Sequence, residues 1–367
     1  MTKRQTQAIT DVGIATGFIA GWFVDDIVLP RSDPKVRHII QAIGTSSIIK
    51  GQKFVREHCP DHSPEIYDSY QQVYEDPEVD VVYIGTPHGF HKQNCLDAIA
   101  ARKPILCEKP FAINAIQARE VLDAAEINGV YIREAMWLRD RPLVEELQRL
   151  LHQEQVIGKV FRAWCDFGLD KDIGSLPADS RYRDTALGAG SLLDIGVYAL
   201  TWIILALDPK SPAASEVPQI LALQSHDQGI EVLSTAIVQY GSSQAHGIAT
   251  STSLQWGDAN LIARIQGTEG VIEVEGPCPS EPLSFTVYDK PKGNDGGQVV
   301  KGSGRKYDFP RLGRGFMYEA DNTALDVLAG RMESSVMPWR ETMHVRHTRR
   351  EPFVVCKICA NSSVLDL

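Results

Sequence analysis

Over the first 137 residues, short unbroken apolar runs alternate with longer stretches in which apolar residues recur at helical spacing. The short runs are Ala8 to Ile14, Ile39 to Ile43, Val81 to Ile84, Ile105 to Cys107 and Val130 to Ile132. Each breaks off into Gly, Pro or polar residues, as expected of strands buried on both faces. Between them 92–101 reads as a helix. The stretch 115–128 carries Ile116, Ala118, Val121, Leu122 and Ala125 on one face, with Gly129 as its stop. This alternation predicts an α/β class, an N-terminal doubly wound parallel sheet of the Rossmann type.

From Arg141 the rhythm changes. A helix over 142–151 and a strand from Val160 to Phe167 lead through an irregular stretch to Gly188-Ala189-Gly190-Ser191, which opens a helix reaching about Leu207. Six strand-like runs follow with no helix between them: 219–224, 233–240, 245–252, 259–266, 271–275 and 284–288. Gly241-Ser242-Ser243 and Gly267-Thr268-Glu269-Gly270 are their hairpin turns. Residues 290–304 read as a surface loop and 316–329 as a further helix. The expected division is a dinucleotide-binding domain over 1–137 and an α+β domain over 138–367. The second domain carries a large open, mostly antiparallel sheet.

Composition narrows the partners. With 43% hydrophobic and 23% charged residues the chain builds an ordinary core, and a net charge of -10 argues against a broad nucleic-acid or anionic-membrane footprint. A local basic pocket for a small anion remains compatible with it. No apolar run is read as long enough to span a membrane, and Met-Thr-Lys-Arg-Gln opens no signal core. A cytoplasmic protein acting on small molecules is expected. Seven scattered cysteines fit reduced thiols. The Cys356-x-x-Cys359 pair has no second pair to complete a metal site and reads as two neighbours on a helix face.

The chemistry lies where the strands end, because ligands of such a sheet bind beyond its carboxyl edge. Ala15-Thr16-Gly17-Phe18-Ile19-Ala20 follows the first strand as a Gly-x-Gly-x-x-Gly pattern with alanine at the first and third places. Gly17 permits close approach of a pyrophosphate, and the helix head supplies donors. After the second strand stand Gly44-Thr45-Ser46-Ser47 and Lys50, where NAD-specific folds usually carry a carboxylate for the ribose. Hydroxyls and a lysine suit a 2′-phosphate, so NADP is expected and NAD less so. Thr86-Pro87-His88 and Glu108-Lys109-Pro110 close the next two strands, placing Lys109 where a bound ligand would meet it.

Five segments occur in the order seen in the glucose-fructose oxidoreductase/inositol dehydrogenase (Gfo/Idh/MocA) family. They are Ile-Ala-Thr-Gly-Phe-Ile-Ala, Asp-Pro-Glu-Val-Asp-Val-Val-Tyr-Ile-Gly-Thr-Pro-His, Leu-Cys-Glu-Lys-Pro-Phe, Arg-Glu-Ala-Met-Trp and Gly-Ser-Leu-Leu-Asp-Ile-Gly-Val-Tyr. The chain resembles that family over 8–335, most closely its branch of dimeric dihydrodiol dehydrogenases and NADP-dependent D-xylose dehydrogenases. The resemblance implies that Lys109 lies beside the nicotinamide, that Tyr198 is the acid/base and that Asp194 faces the substrate. It further implies that Trp137 and Phe167 line the pocket while Thr86, Pro87, His88, His91 and Glu108 border the cofactor. A homodimer through the open sheet is the family's usual arrangement.

The pairing is chemically sensible. Oxidising a carbinol requires a group to take the hydroxyl proton as hydride leaves, and a tyrosine with a pKa of about 10 needs help at neutral pH. A nearby lysine ammonium favours the phenolate and stabilises alkoxide-like charge. The expected activity is hydride transfer between NADP and a secondary carbinol of a sugar or trans-dihydrodiol. The alternatives are reduction of a biosynthetic carbonyl or imine, and a non-catalytic NADP-sensing regulator. Two segments depart from the family: 343–352, where Pro352 should break a closing helix, and 170–184, where substrate identity would be set.

Overall fold

Strand and helix alternate strictly through the N-terminal part: β1 (Gln7–Gly13), α1 (Phe18–Ile27), β2 (Val36–Gly44), α2 (Ile48–His58), β3 (Glu65–Tyr67), α3 (Tyr70–Glu75), β4 (Val81–Ile84), α4 (His91–Ala100), β5 (Ile105–Glu108), α5 (Ala115–Asn128) and β6 (Ile132–Ala135). This computed structural model describes residues 7–13, 16–32, 34–209, 216–290 and 304–347. The chain divides into two units, Met1–Arg141 with Arg311–Met343, and Pro142–Pro310 with His344–Leu367.

In the first unit the six strands pair in parallel in the order β3-β2-β1-β4-β5-β6, the two-halved arrangement of dinucleotide-binding folds. Every residue of β4, β5 and β6 is buried. Side chains cap the helices that the sequence delimits: Asn114 Oδ1 accepts from Gln117 N at 2.9 Å, and Gly129 closes α5 in the left-handed region at φ 65°. Val130 N returns to Ala125 O as part of that stop, so β6 begins two residues later than the expected Val130. The edge strand β3 spans only three residues and carries no periodic signal.

The second unit begins with α6 (Pro142–Gln148), which runs into a π-helical turn Arg149–Gln153, followed by β7 (Val160–Gly168). A second π turn, Leu192–Gly196, leads into α7 (Val197–Leu207). Strands β8 (Gln219–Asp227), β9 (Ile230–Tyr240), β10 (Ala245–Thr252), β11 (Ala263–Gly267), β12 (Gly270–Glu275), β13 (Ser284–Asp289) and β14 (Arg305–Asp308) complete an eight-stranded sheet. Its order is β14-β13-β12-β11-β7-β10-β9-β8, antiparallel except for the parallel β7–β10 pair. The unexpected β14 pairs with β13 directly beyond the stretch read as a loop.

One face of this sheet packs on α7. Ala163, Cys165, Val238, Ala249, Ile265 and Ile272 are buried there, and all eleven residues of α7 are buried. At Gly247 a Cβ would stand 2.1 Å from Ile203 Cγ2, so the glycine lets α7 lie close against β10. The opposite face leaves Leu221, Leu223, Leu233 and Ile237 exposed. Contrary to the reading of the sequence, one stretch does match a membrane span in length and hydropathy, Thr185–Leu207. It includes α7, and 78% of its apolar window is buried within the protein.

After β14 the chain adds α8 (Phe316–Leu328) and α9 (Trp339–His347). Residues 311–343 pack with the first unit, so the expected boundary at 137/138 moves to 141/142 and a later segment returns across it. The causes are specific. Asp26 on α1 accepts the backbone N–H groups of Arg314 (2.9 Å), Gly315 (2.6 Å) and Phe316 (2.8 Å), satisfying the head of α8. Arg31 and His38 hold Asp321 at 2.6 and 2.8 Å, and Arg139 holds Glu341 at 2.8 Å. The helix over 339–347 forms through much of the segment read as unlike a closing helix. Pro352, Cys356 and Cys359 lie outside the described residues.

Candidate active site

At the carboxyl edge of the parallel sheet, Thr16 and Gly17 lead into α1. Ala15 lies outside the described residues. Gly17 occupies the cap position of α1 in an extended conformation with no side-chain cap on the helix head. Among the described residues, a Cβ on Gly17 would meet only Gly85 O, at 3.9 Å. Open space in front of uncapped N–H donors fits a pyrophosphate, the site a dinucleotide would occupy. Phe18 is 73% exposed beside it and Ile19 is partly buried.

The end of β2 carries the second half of that cradle. Thr16 Oγ1 lies 3.3 Å from Thr45 Oγ1, tying the two strand ends together, and Thr45 N donates to Tyr67 O at 3.0 Å. Ser47 stands at the cap of α2, yet its side chain makes no capping bond. Ser46 Oγ accepts from Lys50 Nζ at 3.3 Å, and no acidic residue stands in the first turn of α2. The exposed Ser46 hydroxyl and Lys50 ammonium, with half-buried Ser47 beside them and buried Thr45 behind, fit the 2′-phosphate of NADP, which these four residues would hold.

Two of the expected cofactor contacts turn inward instead. His91 is fully buried, its Nδ1 3.0 Å from Pro110 O and its Nε2 2.8 Å from Thr86 O. Two carbonyl acceptors call for two N–H donors, the imidazolium state. Burial works against that charge, but the neighbouring Cys107 thiol and the two carbonyls outweigh it and raise the pKa. His91 therefore braces the two loop tips against each other from beneath. Glu108 likewise points inward: its Oε1 accepts from the Tyr83 hydroxyl at 2.8 Å and its Oε2 from Lys109 N at 3.1 Å. Burial pushes its carboxyl up to about 7, with the Lys109 charge opposing.

Thr86 is buried and accepts from Asn94 Nδ2 at 3.0 Å; Pro87 and buried His88 follow it at the tip. Lys109 is partly exposed at the next tip. Trp137 stacks on Phe316 at 4.3 Å between ring centres, with the Arg141 guanidinium 5.0 Å over its ring. The sheet thus gathers residues from β1, β2, β4 and β5 along one edge.

In the second unit Asp194 sits within the π turn Leu192–Gly196, and Tyr198 opens α7 one turn later. Single π turns inside helices recur at functional sites because they re-aim side chains. Phe167, at the end of β7, lies 5.8 Å from the Tyr198 ring. Asp194 lines a recess with Lys171, Tyr182, Glu231 and Ser253. Lys171, Arg181 and Glu231 are missing from the sequence-derived site. The first two fall in the stretch expected to set substrate identity, whereas Glu231 reaches the turn from β9 with no local motif. Among the described residues no group of three His, Cys, Asp or Glu converges to hold a metal ion.

Comparison with known proteins agrees with this layout. A model of an oxidoreductase family with an NAD-binding Rossmann fold, GFO/IDH/MocA, matches residues 17–135, and the GFO/IDH/MocA C-terminal domain matches 144–273. The chain is 32% identical over 363 residues to a D-xylose 1-dehydrogenase (NADP(+)) of Hypocrea jecorina, covering 92% of this chain and 89% of that one. It is 32% identical over 329 residues to a trans-1,2-dihydrobenzene-1,2-diol dehydrogenase of Xenopus tropicalis, covering 87% and 90%. An aldose-aldose oxidoreductase from Caulobacter crescentus shares the fold, with a TM-score of 0.73 at 18% identity over 94% and 95% of the two chains.

Proposed function

Given that the chain belongs to the Gfo/Idh/MocA oxidoreductase family, we propose that it is an NADP-dependent dehydrogenase oxidising a secondary carbinol of a D-xylose-like sugar or a trans-dihydrodiol. The observation that carries this reading is the Asp194-x-Gly-x-Tyr198 turn, which sets a carboxylate and a phenol one helical turn apart beside Phe167. The names of the two relatives support the substrate class. Bound NADP would supply the hydride acceptor. In this proposal Tyr198 takes the carbinol proton at its phenolate oxygen, Lys109 lowers the cost of that charge, and Asp194 orients the hydroxyl. The Ser46, Ser47 and Lys50 cluster supports NADP over NAD.

A homodimer is part of the proposal. Leu221, Leu223, Leu233 and Ile237 on the outer sheet face form an apolar surface on one side of an antiparallel sheet, which a second copy would cover. The direct test of function is a screen following NADPH absorbance with D-xylose, D-glucose and trans-dihydrodiols. NADPH formation with a member of the panel is expected. Tight NADP binding with no turnover across the panel would contradict the enzymatic reading.

A further inference from the structure

Lys171, Tyr182, Asp194, Ile230, Glu231 and Ser253 line a small recess in the second unit that opens to solvent. The chain beyond β7 is pinned where it forms the wall of this recess: Leu169 N donates to Thr252 O at 2.9 Å and Lys171 N to Ser253 O at 2.8 Å. Arg183 secures the return of the same stretch through Leu176 O at 2.9 Å and Gln228 Oε1 at 3.1 Å. Between these anchors the Tyr182 ring packs on Ile173, Ile230 and Val232.

That ring holds two cations. Lys171 Nζ lies 3.4 Å from its centre and Arg181 Cζ 4.1 Å, while Arg181 Nη2 donates to the Tyr182 hydroxyl at 2.7 Å. Both cations look toward one carboxylate. Lys171 Nζ stands 3.7 Å from Asp194 Oδ2, and Arg181 Nη2 stands 3.6 Å from Asp194 Oδ1. These separations exceed the roughly 2.7–3.2 Å of a direct hydrogen bond. With partly exposed partners, such pairs add little to stability.

Each pair is still close enough that one oxygen lying beside it, rather than between its members, reaches both at hydrogen-bond distance. A hydroxyl at about 2.8 Å from both members of a pair donates to the carboxylate and accepts from the cation. One carboxylate with a cation facing each of its oxygens offers two such positions side by side. Hydroxyls on adjacent carbons fill both. Glu231 does not compete for them, because its carboxylate accepts from Ser191 Oγ (2.7 Å), Ser234 Oγ (2.7 Å) and Leu192 N (2.8 Å). Those bonds hold the turn that carries Asp194.

We infer that Lys171 and Arg181, with Asp194 between them, read a vicinal diol in the substrate. The inference rests on the reading that Asp194 and Tyr198 face the carbinol being oxidised. It assigns specificity to two residues on the stretch between β7 and the π turn, and it names the substrate feature they recognise.

The test compares matched pairs that differ by one hydroxyl, D-glucose with 2-deoxy-D-glucose and trans-cyclohexane-1,2-diol with cyclohexanol. The wild type, Lys171→Met, Arg181→Met and Lys171→Arg are assayed with NADP+. A hydrogen bond to a charged group contributes about 10- to 100-fold. The wild type should therefore prefer each diol by at least about tenfold in KM, and each methionine variant should lose that preference while the singly hydroxylated partner is little affected. Lys171→Arg should retain part of it. Indifference of the wild type to the second hydroxyl, or equal losses on both members of a pair, would overturn the inference. If the wild type oxidises none of these alcohols, the proposed function fails and binding decides the diol question separately. In saturation-transfer NMR, selective binding of the cyclohexanediol that Lys171→Met abolishes supports the reader; equal or absent binding of diol and cyclohexanol refutes it.

Discussion

Replacing Ser46 with aspartate should reverse the cofactor preference. Ser46 Oγ lies 3.3 Å from Lys50 Nζ at the head of α2, and no other acid occupies that turn. The 2′-phosphate expected there carries about -1.5 to -2 charges at neutral pH. Two unit charges about 4 Å apart in water interact by about 1 kcal/mol, so a carboxylate facing the phosphate costs about 2 kcal/mol. The same carboxylate draws Lys50 into an ion pair one turn along the helix, removing about 1 kcal/mol of attraction. Together these weaken NADP by about 100-fold, while NAD, with a ribose hydroxyl in place of the phosphate, gains an acceptor. Dissociation constants for NADP+ and NAD+ by titration calorimetry at low and high salt measure the effect, which should shrink as salt screens it. A Ser46→Asp variant whose NADP/NAD ratio stays within about threefold of wild type would show that the phosphate does not sit at this turn.

Two further predictions concern the framework. Glu108 is held by burial at a pKa of about 7 against an ordinary 4.5, so its charged form is disfavoured in the fold. Its contribution is whole below about pH 4.5, is lost as pH rises to 7 and is level above. Glu108→Gln should therefore gain on wild type by about 3 kcal/mol between pH 4.5 and 8 in urea unfolding, and a pH-independent difference would contradict this. In the second unit Gly247→Ala would place its Cβ 2.1 Å from Ile203 Cγ2. It should cost about 1–3 kcal/mol, and Ile203→Ala should recover part of that in a double-mutant cycle. Strict additivity would mean that α7 moves away freely.

Much of this was legible because the information is local. The alternation of buried runs and helical faces in the first 137 residues delivers β1, β2, β4 and β5 close to their expected bounds, and their polar tips carry Thr16, Thr45, Thr86 and Lys109 to one edge. What escaped depends on partners distant in sequence. The return of α8 to the first unit rests on Asp26 receiving three amides from residues nearly three hundred positions away, and nothing near either segment announces it. His91 and Glu108 follow the family pattern in sequence. Only the structure shows that a carbonyl from each tip takes both nitrogens of the imidazole and that the carboxylate turns toward Tyr83. Lys171 and Arg181 lie in a segment with no periodicity, where side-chain direction follows from backbone bonds to β10 and from the Tyr182 ring.

The central claim is that Tyr198 moves the carbinol proton. It is tested most directly by comparing wild type and Tyr198→Phe in single-turnover NADPH formation with saturating D-xylose or a trans-dihydrodiol, alongside NADPH affinity by fluorescence. The account predicts no detectable turnover with NADPH affinity within about twofold of wild type, because the phenol serves substrate rather than cofactor. A variant that forms NADPH at the wild-type rate would contradict it.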